Sequence, residues 1–271
     1  MLGEVEYRYG AQAPGRHTGR FLFVVSHMRS FSSLLCHILG SHPEISGYAE
    51  AHLSYFGRLD LQRLVRKVQD STGNAALGRY VLDKVLHNRR EIAPDILSRP
   101  EMKVVFLLRK AEDTFPSLMN MKPTPDAAKR RFSDPARALD YYAGRLSQLE
   151  RYGALVDGNG FFLESEKLIG ETDRVLGDLS RWLGLKQQLN ADYRTFPFTG
   201  APGYGDPLPT IRTGRIVRDA DERHRHYMAT SIPQELMQQG IAAHATCRDR
   251  LVRHGPAAAA PTCGRSEAGR A

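Results

Sequence analysis

Between Ser26 and Ser33 the chain reads Ser-His-Met-Arg-Ser-Phe-Ser-Ser, which crowds the hydroxyls of Ser30, Ser32 and Ser33 around Arg29. The turn lies between a short apolar run and a helical pattern. A helix N-terminus presents unpaired N–H groups and a partial positive charge, so a turn of this kind can cradle a phosphate or diphosphate. It is not a Walker A loop, because the Gly-Lys-[Ser/Thr] element is missing. The plainer reading is a capped helix with Ser30 as N-cap. A second arginine, Arg109, ends another apolar run, and Ser117 follows eight residues later. An arginine fork beside a hydroxyl suits a terminal phosphate. The competing reading is a surface Arg109 paired with Glu112 or Asp113. Cys36, Cys247 and Cys263 lack metal-ligand spacing, and no carboxylate or histidine cluster shows one, so no metal is expected.

The elements that must position these residues alternate between strand and helix. Phe21 to Val25 is a continuous apolar run, as expected of a strand covered on both faces. Ser30 to Leu39 has helical spacing, with Gly40 as a stop. A helix is expected from Glu50 to Val68, a strand from Arg79 to Val85, and a third strand from Lys103 to Leu108. Helices over Asp113–Met121, Leu139–Leu155 and Thr172–Leu183 and a fourth strand over Gly160–Leu163 follow. Residues 122–137 read as a basic excursion with three prolines, residues 195–216 as a long Pro/Gly-rich loop of functional type, and His224 to His254 as mostly helical. The alternation implies an α/β fold of three layers, a mostly parallel central sheet flanked by helices. Ligands then bind at the carboxyl ends of the strands. Residues 20–254 are expected to form one domain, with residues 1–19 a loose arm and 255–271 a disordered tail.

Composition sets the outer limits. The chain has 271 residues, 41% hydrophobic and 25% charged, as in ordinary globular proteins rather than disordered or fibrous ones. Three cysteines argue against a disulfide framework and for a reducing, cytoplasmic compartment. The first residues carry Glu4, Glu6 and Arg8 with no apolar core of a signal peptide, so none is expected. No apolar run reaches the roughly 20 residues of a transmembrane helix. The net charge of +8 fits a nucleic acid, an anionic surface or a small polyanionic ligand.

The first turn narrows that choice. Met28-Arg-Ser-Phe-Ser-Ser-Leu-Leu35 resembles the 5′-phosphosulfate-binding loop of sulfotransferases, whose usual pattern is Pro-Arg-Ser-Gly-Thr-Thr-Leu-Leu. Met28, Phe31 and the Ser32-Ser33 pair are the departures. Ser41-His-Pro-Glu-Ile45 resembles the His-Pro that closes the family's first helix. Arg109 and Ser117, about 80 residues further on, resemble its 3′-phosphate site. Phe162 to Leu168 and Leu179 to Leu185 resemble two further segments, read as architectural, with Trp182 in the core. The resemblance covers roughly residues 20–230. It implies a P-loop-like sulfotransferase fold and the donor 3′-phosphoadenosine 5′-phosphosulfate (PAPS), giving 3′,5′-ADP as product.

Sulfuryl transfer needs a base for the acceptor's proton, cations or N–H donors for the migrating charge, and an in-line donor. The resemblance implies Glu50 as base, seven residues after His42-Pro43, with His52 as runner-up. It implies Lys84 as a stabiliser of the transition state and Arg29 as a direct contact to the phosphosulfate. Donor-binding residues would be Arg29, Ser30, Phe31, Ser32, Ser33, Arg109, Ser117 and, from a late basic loop, Arg215. The plainer readings are a helix-start Glu50, a Lys84–Asp83 surface pair, and a core Tyr193. A P-loop-like phosphotransferase and a non-catalytic nucleotide- or nucleic-acid-binding protein remain the alternatives. The first lacks a P-loop lysine and a Mg²⁺ carboxylate. The second lacks a basic face, since the basic residues scatter along the chain, so no nucleic acid is expected. The acceptor is expected to be a small molecule, a glycan or a lipid.

Overall fold

The structure, a computed structural model, describes residues 19–73, 76–121, 132, 134–156, 158–201, 205, 206, 209–217 and 232–254. Its strands are β1 (Arg20–Ser26), β2 (Ile45–Ser46), β3 (Tyr80–Val85), β4 (Met102–Leu108) and β5 (Gly160–Glu164). Its helices are α1 (Ser32–Gly40), α2 (Arg58–Thr72), α3 (Pro94–Leu97), α4 (Ala111–Met119), α5 (Pro135–Gly153), α6 (Ser165–Gly170), α7 (Thr172–Leu183) and α8 (Gln234–His254). A 3-10 turn spans Pro209–Thr213. The five strands form one sheet in the order β2-β3-β1-β4-β5, and every described pairing is parallel.

Side-chain alternation along the strands divides the core in two. In β1, Phe21, Phe23 and Val25 enter one cluster while Leu22 and Val24 enter the other. In β4, Met102, Val104, Phe106 and Leu108 face the first cluster and Val105 and Leu107 the second. Residues of α2, α3, α4, α5 and α8 cover the first face. Residues of α1, α6 and α7 cover the second. The result is the expected α/β architecture of three layers. The central strands are apolar at nearly every position because both of their faces are covered.

The neighbours β1 and β4 send their following helices to opposite faces, α1 to one and α4 to the other. A crevice opens at the carboxyl ends of two such strands. Here those ends carry Ser26–Ser33 and Arg109.

Two differences from the sequence reading bear on the site. The helix expected from Glu50 runs instead from Arg58 to Thr72. Residues 51–54 belong to no helix or strand, and Tyr55 forms an isolated parallel bridge with Ile92. The start is set by Gly57 and by Asp60, whose carboxylate accepts the N–H groups of Phe56 and Gly57 at 2.9 and 3.1 Å. The apolar stripe Leu61, Leu64, Val65 and Val68 lies wholly beyond that point. Glu50 is therefore not a helix-start residue. The second difference is β2, whose two residues are too few for a periodic signal. The expected arm before residue 19, most of the basic excursion, the first part of the helix expected from His224 and the expected tail lie outside the described residues.

Candidate active site

The turn after β1 is fastened by its own hydroxyls. Ser26 Oγ donates to Leu107 O at 2.5 Å and Ser30 Oγ to His27 O at 2.8 Å, with the two hydroxyl oxygens 2.6 Å apart. Ser165 Oγ donates to Ser30 O at 2.7 Å, which ties the start of α6 to the same turn. The Ser30 side chain thus faces inward. Arg29 and Phe31 both hold left-handed backbone, φ 66° and 62°. Left-handed residues alternating with ordinary ones turn a backbone into an anion-binding concavity. Phe31 stands at φ > 0, the conformation glycine adopts most readily, which accounts physically for the glycine usual in the resembling loop. Its ring stacks under the Arg109 guanidinium at 4.2 Å.

Three cations from three strand ends meet here. Arg109 follows β4, is almost wholly buried, and donates to Arg29 O at 2.9 Å. Lys84 belongs to β3, is 1% exposed, and donates from Nζ to Ser33 Oγ at 3.1 Å. Arg29 donates from Nε to Ser117 Oγ at 2.8 Å. The sequence reading paired Ser117 with Arg109. The described bond joins Ser117 to Arg29, and Arg109 donates to the carbonyl of that same residue. Ser32 and Ser33 open α1, and Ser32 is buried.

One acidic residue enters this cationic cluster. Asp206 pairs with Arg29, Oδ1 to Nη1 at 3.2 Å, and its N–H donates to Ser33 Oγ at 2.9 Å. The chain passes closely at Gly205, where a Cβ would lie 2.8 Å from Ser33 Oγ. No feature of the sequence distinguished Asp206 from the rest of its loop.

β3 serves both sides of the site through its period of two. Lys84 points to the cradle. Asp83, also 1% exposed, points the other way and accepts the N–H of Ala51 at 2.8 Å and a short bond from Tyr55 Oη. Both residues are buried, which excludes a Lys84–Asp83 surface pair. Burial raises the Asp83 carboxyl to about 6, against the lowering effect of its hydrogen bonds. Asp83 thereby anchors the segment that carries Glu50.

Glu50 has a side chain only 6% exposed. Its Oε1 lies 3.3 Å from His87 Nε2 and 3.5 Å from His52 Nδ1. Burial pushes its pKa up, but the imidazoles of His52 and His87 and the Lys84 charge together outweigh that, and it falls below the usual carboxylate value. His87 is lowered, by burial first, so its ring is neutral at neutral pH. His52 holds left-handed backbone, φ 55°.

α5 fixes the strand ends from behind. Arg145, fully buried, donates to Ser26 O at 2.7 Å and makes short bonds to Val85 O and Gln148 Oε1. Tyr141 Oη accepts from Met28 N at 2.8 Å and donates to Leu86 O at 2.9 Å. Tyr142 Oη donates to Arg109 O at 2.7 Å. His27 joins β1 to β4: Nε2 accepts from Arg109 N at 3.0 Å while Nδ1 donates to Met28 O at 2.9 Å. Burial lowers its pKa to about 3, so it is the neutral tautomer these two bonds require.

Three residues weighed in the sequence make none of these contacts. The Arg215 side chain is exposed, and among the described residues its contacts run through its carbonyl, to Tyr193 Oη at 3.3 Å and Thr213 Oγ1 at 3.0 Å. Tyr193 is buried against the His37 ring. Trp182 packs against Phe161 at 5.3 Å, among the residues around the second cluster.

No protein-family profile and no curated protein matches this sequence. Solved structures do match in fold. The sulfotransferase domain from the curacin biosynthetic pathway superposes with a TM-score of 0.57 at 17% identity, covering 84% of this chain and 97% of that one. The sulfotransferase domain of the Synechococcus PCC 7002 olefin synthase gives 0.55 at 16% identity, covering 88% and 98%. The chain therefore has a sulfotransferase fold.

Proposed function

We propose that this chain, as one domain over residues 20–254, transfers a sulfuryl group from PAPS to an acceptor hydroxyl or amine. The observation that carries the reading is the meeting of Arg29, Lys84 and Arg109 at the first turn of α1, beside buried Glu50, within a sulfotransferase fold. Cations held in place before the donor arrives lower the barrier without reorganising during transfer. Arg29, Ser33 and Lys84 bind the phosphosulfate. Arg109 and Ser117 serve the 3′-phosphate, through Arg29 as well as directly. Ser30, Phe31 and Ser32 shape the turn and offer backbone N–H groups, and Arg215 closes over the nucleotide from its loop.

The acceptor oxygen or nitrogen attacks sulfur, the bond from sulfur to the phosphate oxygen breaks, and 3′,5′-ADP leaves. Glu50 takes the acceptor proton, its lowered pKa keeping it ionised at neutral pH. Lys84 stabilises the charge that moves onto the leaving phosphate. His52 is the other candidate for the base. The acceptor is a small molecule, a glycan or a lipid. Incubation with sulfur-radiolabelled PAPS and a panel of phenols, sugars, amines and lipids tests the reading. Label should pass to one class of acceptor. Transfer of phosphorus label from γ-labelled ATP with Mg²⁺, and none from PAPS, would replace the reading with phosphotransfer.

A further inference from the structure

Glu50, His52 and His87 come from two places in the chain, the segment after β2 and the residues just after β3. One ligand atom from each lies within 4.8 Å of the other two. The separations from Glu50 Oε1, 3.3 Å to His87 Nε2 and 3.5 Å to His52 Nδ1, carry the chemical information. Ligands bound at about 2.0–2.1 Å to a tetrahedral zinc ion stand about 3.3–3.4 Å from one another. Glu50 Oε1 is buried and has no hydrogen-bond partner. An acceptor buried this way and aimed between two imidazoles fits a shared cation. The His52 and His87 side chains are 41% and 38% exposed, which leaves a path from solvent.

We propose that Glu50, His52 and His87 bind a divalent transition-metal ion of the zinc class, and that the ion switches the site off by occupying the Glu50 lone pair. Two imidazoles and one carboxylate suit such ions and not Mg²⁺ or Ca²⁺. Lys84 and Arg145, both close enough to act on Glu50, oppose the cation and hold its affinity well below that of a structural zinc site. Binding of the ion is independent of the donor assignment. Inhibition rests on the reading of Glu50 as base.

The test uses the full chain, stripped with chelator and titrated with Co²⁺ and Zn²⁺. Co²⁺ should develop the visible absorption of a tetrahedral site at one ion per chain, and Zn²⁺ should displace it. His87→Ala and His52→Ala should each weaken Zn²⁺ binding at least about tenfold while 3′,5′-ADP affinity stays as in the parent, which also reports that the variants are folded. Zn²⁺ should inhibit transfer reversibly. Absence of the Co²⁺ band, or Zn²⁺ affinity unchanged in both variants, would overturn the site even if transfer from PAPS is observed. Zn²⁺ bound at these residues without inhibition would overturn the switch, and with it the base role of Glu50 rather than the donor site.

Discussion

At the scale of single residues the site sets up two opposed requirements. As the proposed base, Glu50 must be ionised to accept a proton, and its neighbours hold its pKa below the usual carboxylate value. Glu50→Gln should lower kcat by about 10²–10⁴ while leaving 3′,5′-ADP affinity unchanged, since a positioned base typically contributes that much. The acid limb of kcat/KM should fall below the ordinary carboxylate value of about 4.3. A limb near 6.5, the imidazole value, would transfer the base role to His52. The second requirement concerns Arg29, which already pairs with Asp206. On the proposed reading, an anionic donor displaces that carboxylate. Asp206→Asn should therefore tighten 3′,5′-ADP binding roughly 2–5-fold, the range of a partly exposed ion pair. Weaker binding would show that Asp206 holds the cradle open rather than competing for it.

At the scale of elements, the carboxyl ends of β1, β3 and β4 are fixed by α5. Arg145 donates to both Ser26 O and Val85 O, so removing it takes a charged donor from two buried acceptors. Arg145→Met should cost about 3 kcal/mol in urea unfolding. Two buried groups at these ends also titrate, with opposite signs. His27 stays neutral down to about 3 when folded and titrates near 6.5 unfolded, so its share of stability is lost as pH falls through that window. Asp83 is raised to about 6 from 3.8, so its share is present below 3.8 and lost as pH rises through about 6. Asp83→Asn should remove the second trend and leave the first, read as urea midpoints across pH 3–7. Strands and helices with strong periodicity were legible from the sequence: α7 spans Thr172–Leu183 as expected, and β1 exceeds its expected run by one residue at each end. The Glu50 segment was not, because its extended course depends on Asp83 and Ile92, remote in sequence and silent in local pattern.

At the scale of the whole molecule, the +8 charge acquires a partial location. Arg29, Lys84 and Arg109 lie far apart in sequence and meet at one crevice, while Arg137 of the basic excursion is spent on Asp134 at 3.6 Å. The cradle was legible because its residues sit in a local motif beside a strand end. Its supports were not: His27, Arg145 and Asp206 reach partners 82, 119 and 177 residues away. No helix among the described residues is long and apolar enough to cross a membrane. The central claim is that this crevice binds a nucleotide phosphorylated at both the 3′ and 5′ positions. Isothermal titration of the chain with 3′,5′-ADP tests it most directly. One site per chain is expected, with affinity reduced at least tenfold in Arg29→Ala and in Arg109→Ala. Tight binding of ATP with Mg²⁺ and none of 3′,5′-ADP would contradict it.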